Sequence, residues 1–319
     1  HEASVAYVTI ASVLESLHDK GPSTLFGKFD IKRAFRLVPV HPEDQHLLGM
    51  KHLGQYYVDC ALPFGGRSRA KIFNECADLA CFAMAKSAGS TSLTHYSDDF
   101  LSLSGNPDLA LPEFNSILST AEDMGIPLKL TKTQFPSSSV RFIGWILDAP
   151  SMTISLPGDK REKYQRLAAS FASRSSASRL DLLKVSGCLM RTAEVLQHGK
   201  PFLRSLYTAA YSVPNQKDRV VLSDATRGDF AFWADLLLSW TGVSLVMHKS
   251  WEAIPDLELS TDAAGSLGLG IVYGPHWVSL MWPDIPHRPQ NIAVLELIPI
   301  ILSAALWGHM WARKKVLVH

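Results

Sequence analysis

Apolar and polar positions along the chain shift in blocks between helical and strand spacing. Residues 5–17 repeat at helical spacing, and His18-Asp19-Lys20-Gly21-Pro22 ends that helix. Residues 24–30 predict a strand, and from Ile31 the chain turns towards a helix that Pro39 breaks. Residues 48–51 and 55–59 predict a hairpin, 61–66 a turn, and 68–86 a long helix. Two short alternating runs, 92–95 and 100–103, flank Tyr96-Ser97-Asp98-Asp99 and predict a β-hairpin with two carboxylates at its tip. A helix over about 109–124 is stopped by Gly125-Ile126-Pro127, and a strand pair around 129–130 and 140–146 closes this part. Helices crossing over strands, with one antiparallel hairpin, describe an α+β domain of split-βαβ type.

From Pro157 the pattern is helical, over 160–173, 178–197 and 226–240, with Ser178 and Asp181 spaced as a capping box. After Pro255 it alternates again, over 258–262, 268–273 and 277–282, and is followed by a helix that carries Glu296. Those elements predict a small mixed α/β domain. Residues 292–311 are almost wholly apolar but contain Glu296 and Pro299, and Arg313-Lys314-Lys315 follow. A charge inside a span is unfavourable and no second span exists to pair with it, so a buried helix of a soluble domain is expected, without a membrane. The chain opens without Met and stops in Val316-Leu317-Val318-His319, a strand cut short, so it reads as a fragment.

Composition narrows the class. The chain has 319 residues, 47% of them apolar, enough for two or three domains with cores. A net charge of +1 gives no global sign of nucleic-acid binding, so any such surface is local. Cys60, Cys76, Cys81 and Cys188 show no paired spacing and read as reduced and mostly buried. With no signal segment at the start, the protein is expected inside the cell, in cytoplasm or nucleus.

Adjacent carboxylates repel, and Asp98-Asp99 alone is equally an acidic turn left in water. Asp30, at the end of the strand over 24–30, breaks the tie. Two acidic sites on neighbouring strands are what a pair of divalent cations needs for phosphoryl or nucleotidyl transfer.

These residues resemble the motifs of reverse transcriptases. Phe29-Asp30-Ile31-Lys32-Arg33-Ala34-Phe35 resembles the first catalytic palm motif, and Leu62-Pro63-Phe64-Gly65 with Ile72-Phe73-Asn74 the motif that cradles template and nucleotide. Tyr96-Ser97-Asp98-Asp99 resembles the polymerase Asp-Asp hairpin, and Phe142-Ile143-Gly144-Trp145 the primer-grip strand. The wording is closest to DIRS-type retrotransposons and is also similar to gypsy-type elements. It covers about residues 24–240, and the part after Pro255 resembles a ribonuclease H domain. The resemblance implies a remnant of fingers and palm entry in 1–23, a palm with part of the fingers in 24–156, a helical thumb or connection in 157–250, and a truncated ribonuclease H-like α/β domain in 255–319.

By that resemblance Asp30 and Asp98 bridge two Mg²⁺ ions, with Mn²⁺ as an alternative. The Ile31 carbonyl is an extra ligand and Asp99 an outer or alternating one. Phe35 lies under the sugar, or else is a core aromatic. Phe64, Gly65 and Lys71 belong to the cradle, whose Arg67, Arg69 and Lys71 are otherwise a solvated helix face. Arg69-Ala70 stands where the family has Ala-Pro, and Gly66 replaces a usual Leu. Tyr96 packs beneath the hairpin near the primer end. Lys132 matches a lysine that protonates the leaving pyrophosphate, or is a solvated loop lysine. Arg166, Arg174, Arg179, Lys184 and Arg191 are candidate phosphate contacts of the thumb. In the last domain Asp262 and Glu296 match two ribonuclease H carboxylates, Glu296 being otherwise the partner of a base. The third carboxylate is expected just beyond His319, so little RNA cleavage is expected.

The implied activity is RNA-directed DNA synthesis by a retrotransposon enzyme, with RNA template, DNA primer, RNA/DNA hybrid and deoxynucleoside triphosphates as partners. The alternative is an inactive or adapted polymerase-derived module that binds nucleic acid or protein. A viral RNA-dependent RNA polymerase shares the palm, but Phe35 and the appended domain weigh against it. Oligomeric state is not legible in the sequence.

Overall fold

Thr9 caps helix α1 (Ile10–Lys20), its hydroxyl accepting from the Ser12 N–H at 3.2 Å. Gly21, at φ 79°, then turns the chain towards strand β1 (Leu25–Asp30). Next come a hairpin of β2 (Gly49–His52) and β3 (Gln55–Val58), helix α2 (Arg69–Ser87), and a second hairpin of β4 (Leu93–Tyr96) and β5 (Asp99–Ser104). Helix α3 (Pro107–Asp123) and strand β6 (Gln134–Ser137) follow, then the meander β7 (Ser139–Phe142), β8 (Trp145–Asp148) and β9 (Thr153–Ser155). A helical stretch has α4 (Gly158–Ala172), α5 (Arg179–Ala193), α6 (Arg204–Tyr211) and α7 (Asp224–Ser239). Short β10 (Ser176–Ser178) and β11 (Arg219–Val221) pair within it, and β12 (Val243–Leu245) returns to β9. This is a computed structural model. It describes residues 5–63, 65–66, 68–89, 92–246, 255–284, 291–311 and 314–319. The chain divides into two compact units, His1–His248 and Lys249–His319.

In the first unit an antiparallel sheet runs in the order β4-β5-β1-β6. Side chains alternate across β1, so its two buried phenylalanines enter different cores. Phe26 joins Leu101, Leu103, Val140, Phe142 and Trp145 on one face. Phe29 joins Phe100, Phe114 and the α2 residues Phe73, Ala77 and Met84 on the other. Gly27 lies where α3 comes closest: a Cβ there would sit 2.3 Å from Phe114 Cδ2. The second sheet, β12-β9-β8-β7, packs with α4, α5 and α7 into the larger core around the fully buried Trp145 and Trp233. Serine caps open the two longest of these later helices that begin at a polar residue: Ser178 accepts from the Asp181 N–H at 3.1 Å, and Ser223 from the Thr226 N–H at 3.2 Å.

The second unit has antiparallel β13 (Leu257–Ala263), β14 (Gly268–Tyr273) and β15 (His276–Met281), then α8 (Ile292–Trp307), then β16 (Val316–Val318). Strand β16 lies parallel to β13, giving the order β15-β14-β13-β16.

The mixed helix-and-sheet class is as the sequence predicts, but some elements differ. Residues 129–130 are not a strand. Pairing with the end of β1 stops after the Ile31–Leu128 bridge, and a single 3₁₀ turn, Leu130–Lys132, precedes β6. Residues 140–146 are a hairpin rather than one strand, because Ile143 (φ 38°) and Gly144 (φ 87°) form a two-residue turn between Phe142 and Trp145. The helix over 178–197 stops at Ala193, and the chain then brings Gly199 under the Trp233 ring. Helix α8 is not buried: Leu295, Pro299 and Ser303 face inward while Ile292, Val294, Leu297 and Ile301 are exposed. With the turn that follows, it is long and apolar enough to cross a membrane by length and composition. Cys60 and Cys76 are exposed, contrary to the expectation of burial.

Gly27→Ala should lower stability by about 1–3 kcal/mol, since the rigid Phe114 ring has no room to retreat. Urea unfolding followed by circular dichroism measures this, and adding Phe114→Leu should recover part of the loss. An undiminished midpoint in the single variant would show that α3 shifts freely.

Candidate active site

Cross-strand register decides which side chains meet. Phe29, Phe100 and His95 form one row across β1, β5 and β4, and Asp30, Asp99 and Tyr96 form the next. Neighbouring rows point to opposite faces. The first row stacks into the core, with Phe29 on Phe100 at 4.9 Å and His95 on Phe100 at 5.0 Å between ring centroids. The second row therefore places Asp30 and Asp99 side by side on the other face. Tyr96 is exposed there, with Tyr7 against its ring at 4.7 Å.

Asp98 lies in the two-residue turn, after Ser97 in the left-handed region at φ 55°. Its carbonyl accepts from the Ile31 N–H at 3.0 Å, locking the hairpin tip to the end of β1. Burial pushes the Asp98 carboxyl above the ordinary carboxylate range, and the charges of Asp30 and Asp99 push the same way. Its own backbone N–H and Lys132 oppose the shift.

Asp30 is buried, and lysines reach it from outside. Helix α3 ends in a Schellman turn: Gly125, at φ 70°, donates to the Glu122 carbonyl and Ile126 to that of Ala121. The chain then runs back along β1, with Lys32 N–H on the Pro127 carbonyl at 2.8 Å and Lys129 N–H on the Asp30 carbonyl at 2.9 Å. This puts Lys132 Nζ 2.7 Å from Asp30 Oδ2, and Lys129 Nζ 3.9 Å from Oδ1. The bond to Asp30 raises the Lys132 pKa, keeping the ammonium charged. Asp99 has its own partner: Lys28 Nζ is 3.2 Å from its Oδ2 and also donates to the Arg141 carbonyl at 3.1 Å.

The remaining sequence-derived candidates are spread more widely. Ile31 is buried and its amide is engaged by the hairpin. Phe35 is half-buried against Phe73 at 4.8 Å, with the Arg69 guanidinium 5.5 Å from its ring centroid. Arg69 also donates to the Pro63 carbonyl, and Lys71 pairs with Glu75 at 3.8 Å. Gly65 is exposed at φ 102°, a conformation that suits glycine; Phe64 and Arg67 lie outside the described residues. Arg179 is engaged by the Val213 and Pro214 carbonyls and lies over Tyr211, so it tethers a loop. In the second unit Asp262 stands on β13 opposite Gly270, and Glu296 on α8; both side chains are exposed.

Residues 1–147 match the family model described as "Reverse transcriptase (RNA-dependent DNA polymerase)". That stretch is similar to reverse transcriptase domains. The fold of the chain is similar to that of the foamy viral protease-reverse transcriptase. In its complex with double-stranded DNA, the TM-score is 0.55 at 13% identity, covering 92% of this chain and 49% of that one. In the complex with an RNA/DNA hybrid it is 0.54 at 13% identity, covering 92% and 38%. The chain thus spans about half or less of the length of these proteins. No curated protein matches its sequence.

Reverse transcriptase domains generally use divalent metal ions, and the carboxylates here fit such ions. Among the described residues no group of three His, Cys, Asp or Glu side chains could hold a metal by itself. A pair of hard oxygen donors suits Mg²⁺, which keeps waters and takes further ligands from substrate phosphates. Lys28 and Lys129 are site residues that the sequence reading missed. For Lys28 a signal existed: its spacing of two from Asp30 puts both on one face of the strand. Lys129 becomes visible only through the turn after α3.

Because the folded Asp98 carboxyl takes up a proton more readily than the unfolded one, its ionisation opposes folding, and stability rises as pH falls through its raised pKa. Asp98→Asn removes that charge. In metal-free buffer at neutral pH it should melt at or above the wild-type temperature, the difference shrinking towards acid. Thermal melts at a series of pH values check the sign, and a lower melting temperature at neutral pH would contradict it.

Proposed function

We propose that the chain is the polymerase part of a retrotransposon reverse transcriptase, an RNA-directed DNA polymerase acting by two-metal nucleotidyl transfer. The observation that carries this reading is the pairing of Asp30 with Asp99 across adjacent strands, with Asp98 at the connecting turn and Lys132 2.7 Å from Asp30. Asp30 and Asp98 would hold two divalent cations, Mg²⁺ or Mn²⁺. When bound, such ions activate a primer 3′-hydroxyl and stabilise the departing pyrophosphate. The chain supplies the rest. The Ile31–Asp98 backbone bond keeps the two ligand-bearing strands in register. Asp99, tied to Lys28, is the auxiliary carboxylate. Lys132 would give a proton to the leaving group; its bond to Asp30 holds that proton more tightly, so the bond would open first. Phe35, braced by Phe73, is the aromatic that excludes a ribose 2′-hydroxyl, and Gly65 lets the backbone approach the nucleotide.

The nucleic-acid partners are an RNA template, a DNA primer and their hybrid, with deoxynucleoside triphosphates as substrates. Support comes from the foamy viral complexes and from a groove of about 630 Å³ between α4 and α5, lined by Lys163, Arg174 and Lys184. Its lining also includes Asp181 and the apolar Leu167, Phe171 and Val185, so phosphate contact would fall to those three cations. The second unit reads as ribonuclease H-like. Three antiparallel strands, a helix and a parallel fourth strand support this, with Asp262 on the first strand and Glu296 on the helix. The retrotransposon origin rests on the wording of the motifs, closest to DIRS-type elements.

Primer extension on an RNA template with Mg²⁺ tests the reading. Asp30→Asn and Asp98→Asn should each reduce incorporation by roughly 10²-fold or more, and Lys132→Ala by roughly 10²-fold. Synthesis that survives both carboxylate changes, or none by the unaltered chain, would sink the claim that this chain is itself a metal-dependent polymerase. Equal use of ribonucleotides would point instead to an RNA polymerase.

A further inference from the structure

His95 is buried behind the hairpin tip, and both of its ring nitrogens meet oxygens. Nε2 lies 2.8 Å from Asp78 Oδ1, and Nδ1 lies 3.1 Å from the Ser97 carbonyl oxygen. A carbonyl oxygen can only accept, so in the bond to Ser97 it is Nδ1 that carries the hydrogen and donates. Asp78 is itself held: Asn74, one turn earlier on α2, donates from Nδ2 to its Oδ2 at 2.9 Å. The ring is also fixed in plane by its stack on Phe100, whose backbone follows Asp99 directly.

The Ser97 carbonyl belongs to the peptide that joins Ser97 to Asp98. Ser97 is in the left-handed region, where a residue with a Cβ is strained and stays only if its surroundings hold it. The bond from His95 fixes the plane of that peptide on one side of Asp98, and the Ile31 N–H fixes the Asp98 carbonyl on the other. The direction of the Asp98 side chain follows from these two anchors. We infer that His95 is a positioning residue, held by Asp78 and Asn74, that aims Asp98 by gripping the Ser97 carbonyl. This rests on the reading of Asp98 as a metal ligand.

Mn²⁺ binding to the full chain, followed by electron paramagnetic resonance, tests it, with thermal melting measured alongside. His95→Phe keeps a ring to stack on Phe100 and removes both hydrogen bonds. It should weaken Mn²⁺ binding about tenfold, as loss of a group orienting a metal ligand does, while the protein still melts cooperatively. His95→Gln, which retains a donor, should recover most of that loss. Wild-type affinity in His95→Phe, or no recovery in His95→Gln, overturns the inference. Should His95→Phe fail to fold, Asp78→Ala carries the test, because the Asp78 side chain is 61% exposed and its loss leaves the core intact. That variant should bind Mn²⁺ severalfold more weakly, and unchanged binding overturns the inference. Asp98→Asn separates the two readings. If it abolishes binding while the His95 and Asp78 variants match wild type, the ligand reading stands and the positioning role falls. If it leaves binding unchanged, the ligand reading fails and takes the positioning role with it.

Discussion

Asp30 and Asp99 face each other across two hydrogen-bonded strands, an arrangement that like charges oppose. Much of the first unit acts to hold them there. The row of rings one residue away, Phe29, Phe100 and His95, is buried and stacked, so neither strand can slip in register without turning that row to the opposite face. Apolar burial on one face thereby enforces electrostatic crowding on the other. Relief comes from three lysines. Lys132 and Lys129 come from the loop after α3, and only Lys28 belongs to the ladder itself.

These cations also tie the sheet to its surroundings. Lys28 bonds to a carboxylate at the hairpin and to the Arg141 carbonyl on β7, so one ammonium spans two sheets. Beyond Arg141 the β7–β8 turn places Ile143, a β-branched residue, at φ 38°, an outlier that survives only when packing dictates it. Lys160 lies close over that turn, its pKa lowered by burial and by the nearby Arg141 and Arg191. A strained turn edged by crowded cations adjoins a strained turn bearing crowded anions, and Lys28 bridges the strands that carry them.

The elements at the site were legible in the sequence because strand alternation and turn chemistry are local. The run Phe29-Asp30 and the tip Tyr96-Ser97-Asp98-Asp99 mark their own strands, and Ser178 marks a helix start by its own hydroxyl. Contacts set by chain reversals were not legible. Residues 129–130 look like a strand, but pairing ends at the Ile31–Leu128 bridge and a 3₁₀ turn follows. His95 looks like an ordinary strand residue until α2 brings Asp78 to it. The solvent side of α8 is not legible either, because an almost wholly apolar helix has no polar face to point outward.

The position of β1 in the middle of its sheet governs when the site can exist. Its neighbours come late in the chain: β5 ends at Ser104 and β6 at Ser137, and the Lys132–Asp30 bond closes a separation of 102 residues. Each closure spends chain entropy before it returns any contact, so folding of this unit is slow by topology. During synthesis Asp30 emerges long before any of its partners. Until β5 and β6 have left the ribosome, the strand that anchors the site has unpaired edges on both sides and two aromatic faces open to water.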